Sequence, residues 1–256
     1  MSYNFTNRKD LLTELVRTNF KLRYNNSLLG FIWVLLKPLL TFAILYVVFS
    51  RFKGGWVENY QIYLLLGIII YTFINESIVF GMSGILQTAH IILKVNFPRE
   101  IALISSVIMA VINLIINLFV LIIFSFFNPI NPNLISILYF ISIMIIIFIL
   151  TYGISLFTSI ILVKLRDLEH ITSLFMQLLF YATPIFYPAS LLSLKLQKVL
   201  TLNPLTVIIQ SAREAYIYGR IINMRELGLL FAASLIILFI GNIYFKKQVK
   251  KVAEYF

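Results

Sequence analysis

Chemistry on a polypeptide needs nucleophiles, paired carboxylates, metal ligands or phosphate cradles, and few positions in this sequence offer any. Cysteine is absent from all 256 residues, which removes disulfides, thiolate metal sites and thiol nucleophiles together. Only two aspartates occur, Asp10 and Asp167, and no pair of carboxylates lies within an apolar run. Holding magnesium against a diphosphate takes clustered carboxylates, so a metal-dependent transferase is disfavoured and no cofactor is expected on the chain. No G-x-x-x-x-G-K-[ST] occurs either, so any energy from ATP must come through a partner. One catalytic pattern is present. Gly81-Met82-Ser83-Gly84 matches the G-x-S-G of intramembrane serine proteases, where a histidine on another helix activates the serine. The candidate bases are His90, seven residues further on, and His170 in a charged loop. Small residues that ease helix packing explain the pattern more simply, leaving the hydrolase as a distant alternative.

Two charges lie inside apolar runs, Lys37 (followed by Pro38) and Glu76. Charges at membrane depth are functional candidates by default. Lys37 either meets a cargo or snorkels to the interface, and Glu76 either pairs with it or faces a wet cavity. Aromatic residues make up 15% of the chain, with 23 Phe and 14 Tyr. Many suit the belts at membrane interfaces. Tyr46 and Phe49 in one run, and Phe175, Phe180, Tyr181, Phe186 and Tyr187 in and after another, either pack there or line a conduit whose rings stack on sugar faces.

The elements that must position these residues follow from composition. Hydrophobic residues are 61% and charged residues 12%, against roughly half and a quarter in soluble domains. This is an all-α integral membrane protein with one domain. Apolar runs predict six spans: Leu28 to Ser50, Gln61 to Gly84, Glu100 to Phe127, Leu134 to Val163, Ile171 to Phe186 and Leu227 to Phe245. The third and fourth form a hairpin about Asn128-Pro129-Ile130-Asn131-Pro132-Asn133. The mostly polar first 27 residues predict no cleavable signal peptide, and residues 246–256 form a basic tail. The net charge of +11 is dispersed between apolar runs, which argues against nucleic acid. With both termini inside, thirteen Lys and Arg lie in inner segments and seven in outer ones, which favours cytoplasmic termini.

Three segments outside the spans look ordered. Leu11, Leu12, Leu15 and Leu22 fall near one helical face and Glu14, Arg17, Thr18 and Lys21 on another, predicting an amphipathic interface helix over residues 1–27. Ile85 to Pro98 predicts a short cytoplasmic helix. Pro188 to Glu226 is too long and apolar for a plain loop, and Asn203-Pro204 divides it into two pieces too short to span. Re-entrant or interfacial helices satisfy their own backbone there.

The segment KLRYNNSLLGFIWVLLKP, with Lys21, Arg23, Tyr24, Ser27, Leu29, Gly30, Trp33 and Pro38, resembles the signature that opens ABC-2 type permeases of polysaccharide exporters. Phe97-Pro98-Arg99-Glu100, Arg166-Asp167, Thr183-Pro184-Ile185-Phe186-Tyr187-Pro188 and Asn203-Pro204 follow in that family's order. The members it is most similar to are membrane subunits of O-antigen and teichoic acid exporters. The resemblance implies an inner-membrane homodimer with both termini cytoplasmic, bound to two copies of a separate ABC ATPase subunit that holds ATP and magnesium. It implies a lipid-linked, undecaprenyl diphosphate-type polysaccharide as cargo, with a small-molecule permease as the alternative. It assigns Arg17, Lys21, Arg23, Tyr24, Trp33 and Lys37 to the lipid head group, and His90, Lys94, Arg99 and Glu100 to coupling with the ATPase. The conduit would use Tyr46, Phe49, Phe175, Phe180, Tyr181, Phe186 and Tyr187. The helices after Pro188 would form an extracellular gate.

Overall fold

The computed structural model describes residues 8–24, 29–52, 57–89, 98–128 and 130–251. Among them it is all-helical, without a strand. The α-helices are α1 (Arg8–Tyr24), α2 (Trp33–Phe52), α3 (Tyr60–Gln87), α4 (Glu100–Ser125), α5 (Leu134–Lys164), α6 (Leu168–Ala182), α7 (Leu194–Thr201), α8 (Pro204–Tyr218) and α9 (Met224–Gln248). Five are long and apolar enough to cross a membrane: α2 with its preceding turn, α3, α4, α5 and α9. Their bounds follow the expected runs, and their ends are set by local chemistry. At the start of α5, Asn133 Oδ1 accepts from the Ser136 amide at 2.7 Å and Ser136 Oγ accepts from the Asn133 amide at 3.0 Å. This reciprocal pair satisfies amides that a helix start leaves orphaned.

Buried α3 is the axis of the fold, packed between α4 and α5, with α9 on the far side of α5. Small residues allow the close approaches. A Cβ at Gly81 would lie 2.1 Å from Ser155 Oγ, and one at Gly84 would lie 2.7 Å from Ser106 Oγ. At the α5 and α9 crossing, a Cβ on Gly241 would sit 3.0 Å from the Gly153 carbonyl oxygen. The glycines of the G-x-S-G pattern are therefore contact points between helices. Ser83 Oγ donates to the Val79 carbonyl of its own helix at 2.9 Å and accepts from Gln87 Nε2 at 3.0 Å. His170 is exposed, and His90 lies outside the described residues.

Helix α1 lies across one end of this bundle. Leu11 and Leu15 bury into a cluster with Ile85, Ile101, Val163 and Phe245. The end of α3, the start of α4 and the ends of α5 and α9 therefore share one side. The α4–α5 turn lies opposite, where Asn131 donates to the Ile217 carbonyl at 3.1 Å and Asn133 Nδ2 to Gly219 at 3.0 Å. Gly219 closes α8 in the left-handed conformation (φ 66°), and a Cβ there would meet the Asn131 carbonyl oxygen at 2.5 Å.

Because α5 ends on the α1 side and α9 begins opposite, the chain returns from one end of the bundle to the other between Lys164 and Met224. The expected fifth span, Ile171 to Phe186, is here the 15-residue α6, which at 1.5 Å per residue is roughly 22 Å long. That is short of the ~30 Å hydrocarbon core. The helix stops because Pro184 removes an amide and biases Thr183 to the extended conformation it adopts. Non-helical backbone continues through residues 183–188. Beyond it, α7 and α8 break at Asn203-Pro204, where Asn203 Oδ1 caps the Leu205 amide at 3.0 Å. Asn203, Pro204 and Leu205 share an apolar cavity of about 420 Å³ with Ile74 and Ile78 of α3 and Leu150 and Ile154 of α5. The hairpin tip thus reaches the middle of the bundle, α8 largely buried and α7 exposed.

Candidate functional site

A polar cleft opens between α2, α3 and α6 at mid-depth, with a volume of about 480 Å³. Lys37, Pro38 and Thr41 come from α2, Tyr71, Thr72 and Asn75 from α3, and Ser173, Gln177, Phe180 and Tyr181 from α6. Positions 72 and 75 are three residues apart, as are 38 and 41, while 173 and 177 are four apart. Each pair therefore lines one helix face. The lining carries hydroxyls, amides and one ammonium, and no carboxylate. Such a surface offers donors and acceptors to a hydroxyl-rich or anionic guest and no charged well for a cation.

Toward the side opposite α1, the cleft continues into a chain of rings. Tyr71 lies 4.9 Å from Phe180, Phe180 6.0 Å from Phe186, and Phe186 4.8 Å from Phe49. Tyr46 stacks between Phe42 at 5.6 Å and Tyr60 at 6.2 Å, and its hydroxyl accepts from Gln61 at 2.9 Å. Tyr181 and Tyr187 extend the chain at 5.5 Å from Phe180 and 5.1 Å from Phe186. Ring pairs at these separations contribute ~0.5–1.5 kcal/mol each beyond area burial. Six of the seven expected conduit residues are thus brought together. Phe175 is not, since it lines the apolar cavity on another face of α6. The sequence reading passed over Tyr60, Tyr63, Tyr71, Thr72, Asn75, Ser173 and Gln177. Their signal was polar and aromatic residues recurring at three- and four-residue spacing inside apolar runs.

The extended segment after α6 is held by the fully buried Arg213 of α8. Its guanidinium donates to the carbonyls of Tyr63 (3.0 Å), Pro184 (2.8 Å) and Ile185 (2.6 Å) and stacks 3.4 Å from the Tyr63 ring centroid. Tyr60 donates to the Phe186 carbonyl at 2.8 Å, and Asn203 Nδ2 to Thr183 Oγ1 at 3.0 Å. Non-helical backbone at this depth lacks partners of its own, and these side chains supply them. Arg213 is one of the seven basic residues that the sequence places in outer segments; the fold buries it.

At the opposite end, α1 is latched to the core. Tyr24 donates to Asn113 Oδ1 at 2.9 Å, Asn113 Nδ2 donates to Glu76 at 2.7 Å, and Asn19 donates to Ser105 at 3.1 Å. Arg23 lies 3.4 Å over the Phe80 ring. Burial lowers the Arg23 pKa and raises that of Tyr24. Arg23 and Tyr24, expected at the lipid head group, are thus engaged with the core, and Arg17, Lys21 and Trp33 are exposed. Glu76 pairs with Asn113 while also feeling the charges of Lys37 and Arg23. Of the expected coupling residues, His90 and Lys94 lie outside the described residues. Arg99 donates to the Val249 carbonyl, and Glu100 lies 3.8 Å from Lys246. Among the described residues no group of three His, Asp or Glu is arranged to hold a metal ion.

Comparison with known proteins is consistent along the whole chain. The ABC-2 type transporter family model matches residues 10–217. An O-antigen export system permease protein of Klebsiella pneumoniae is 32% identical over 255 residues, covering 99% of this chain and 98% of the relative. Another from the same species is 30% identical over 254 residues, with the same coverage. One from Myxococcus xanthus is 26% identical over 248 residues, 96% of this chain and 95% of that protein.

Proposed function

Because the chain belongs to the ABC-2 type transporter family, we propose that it is the membrane-spanning permease subunit of an exporter that moves a lipid-linked O-antigen-type polysaccharide outward across the cytoplasmic membrane. The observation that carries this reading is the polar cleft continuing into the ring chain between α2, α3 and α6. Sugar rings present hydroxyl edges and apolar faces, and this lining offers both kinds of partner without a deep binding well. Strong binding would slow a polymer in transit. In this reading α6 and the extended segment held by Arg213 make the sixth crossing, the α7–α8 hairpin gates the outer end, and both termini are cytoplasmic. A homodimer would place two such lined surfaces around one path. Two copies of an ABC ATPase, carrying ATP and magnesium, would push on the segment between α3 and α4 and on α1. The Tyr24–Asn113–Glu76 latch would relay that motion toward Lys37 and the cleft.

The test is affinity purification of the tagged full chain in mild detergent, with mass spectrometry of the protein and lipid retained. A P-loop ATPase in equal amount together with an isoprenoid-linked glycan is expected. An ATPase with a small amphiphile and no glycan would replace the polymer by a small cargo, and a chain that purifies alone would overturn the exporter reading.

A further inference from the structure

A further cavity lies on the α1 side and shares no lining residue with the cleft between α2, α3 and α6. Its volume is about 660 Å³, and Arg8 of α1, Arg99 and Glu100 of α4, and Lys246 and Lys250 at the end of α9 line it. Four cations against one carboxylate leave the wall three charges positive. Two of the cations also tie the helix ends together, Arg99 through the Val249 carbonyl and Lys246 through Glu100. Arg8 and Lys250 are exposed at the same cavity.

The surroundings decide what kind of anion fits. The cavity borders on Phe245, fully buried in the apolar cluster with Leu11, Leu15 and Ile101. Along α9, Ile236, Ile240 and Ile243 are 58%, 51% and 55% exposed. Their spacing of four and three residues continues to Lys247 and Lys250, so one helix face changes from apolar to cationic at the level of the cavity. A soluble anion would use the cations and leave the stripe idle. A molecule with a phosphate at one end and hydrocarbon at the other would use both.

We infer that this cavity binds the phosphate of an anionic phospholipid of the same leaflet, with the acyl chains along the Ile236–Ile243 face of α9. Positive pockets between membrane helices suit such head groups. Here the phosphate would bridge Arg8 and Lys250 and so pin the amphipathic helix α1 against α4 and α9. The inference does not depend on what the protein exports.

The experiment uses the full chain in detergent micelles mixed with either phosphatidylglycerol or phosphatidylcholine, reading lipid retention by native mass spectrometry and the thermal midpoint. Phosphatidylglycerol is expected to be retained and to raise the midpoint, and phosphatidylcholine is not. The double variant Arg8→Gln, Lys250→Gln should lower phosphatidylglycerol affinity roughly thirtyfold, from the loss of two cations at the surface. Lys195→Gln with Lys198→Gln, on exposed α7, should leave it unchanged. If the double glutamine variant fails to fold, Arg8→Lys with Lys250→Arg retains both charges and must bind as the native chain does, with affinity falling as salt rises. Unaltered affinity in the glutamine variant, or affinity indifferent to salt, overturns the site. Equal protection by inorganic phosphate alone would overturn the lipid assignment.

Discussion

Replacing Arg213 with methionine keeps much of the apolar stem of the side chain and removes every donor from its end. The carbonyls of Tyr63, Pro184 and Ile185, now at 3.0, 2.8 and 2.6 Å from the guanidinium, lose that partner together. A buried group left unsatisfied costs ~1–3 kcal/mol; the Tyr63 carbonyl lies within α3 and keeps its helical partner, so the two non-helical carbonyls give roughly 2–6 kcal/mol as an upper range. Two effects reduce it. Tyr63 and Pro184 border a cavity of about 330 Å³ in which water can replace the lost donors. Among the described residues no carboxylate lies within 4.0 Å of the guanidinium, so the substitution also relieves the desolvation of an unmatched charge. The net expectation is ~2–4 kcal/mol, carried chiefly by the Ile185 carbonyl. For a chain of this size that corresponds to a fall in midpoint of roughly 5–15 °C. Thermal unfolding in detergent measures the fall, and trypsin cleavage after Lys195 reports loosening of the segment after α6. Arg213→Lys should be intermediate, since one ammonium on a flexible stem cannot reproduce the planar fork. A folded Arg213→Met protein with a native midpoint and unchanged cleavage would refute the clamp.

Gly67→Ala should reproduce much of that phenotype, because its Cβ would lie 2.3 Å from Arg213 Nη2; Gly228→Ala, with nothing within 4 Å, is the matched control for the same midpoint measurement. Tyr24→Phe removes the bond to Asn113 and should loosen α1 by ~1 kcal/mol, read as faster amide exchange in residues 8–24 while α3 stays protected. Asn75→Leu with Gln177→Leu removes both amides from the cleft and should lower glycan export while membrane level and ATPase association persist, as measured by surface glycan and co-purification; normal export would return these residues to packing. Charge reversal at Lys94 should uncouple ATP hydrolysis from export, and unchanged export per ATP would count against the coupling role.

Five long helices were legible in the sequence because hydrocarbon demands unbroken apolar runs with satisfied backbones. The end of α4 and the start of α5 could be read from Asn and Pro for the same local reason, as could the break at Asn203-Pro204. The fifth run was harder to bound. Its composition suits a span through Phe186, but whether backbone beyond Pro184 can leave the helix depends on a donor arriving from elsewhere. That donor, Arg213, is 29 residues from the Pro184 carbonyl and 150 from that of Tyr63. Phe175 and Phe180 likewise look equivalent in sequence, yet the turn of α6 places one in an apolar cavity and the other in the ring chain.

Alone, the sequence determined that this is a multi-pass helical membrane protein without a P-loop and which family signature it carries, because apolar length, charge placement and motif order are properties of the chain in one dimension. Tertiary structure decided which polar and aromatic side chains share a cleft, which arginine serves the extended backbone, and which lysines meet Arg8. Those outcomes depend on how α2, α3 and α6, or α1, α4 and α9, are turned against one another. Rotational setting comes from packing over the whole bundle, as at the glycine contacts of Gly81, Gly84, Gly153 and Gly241.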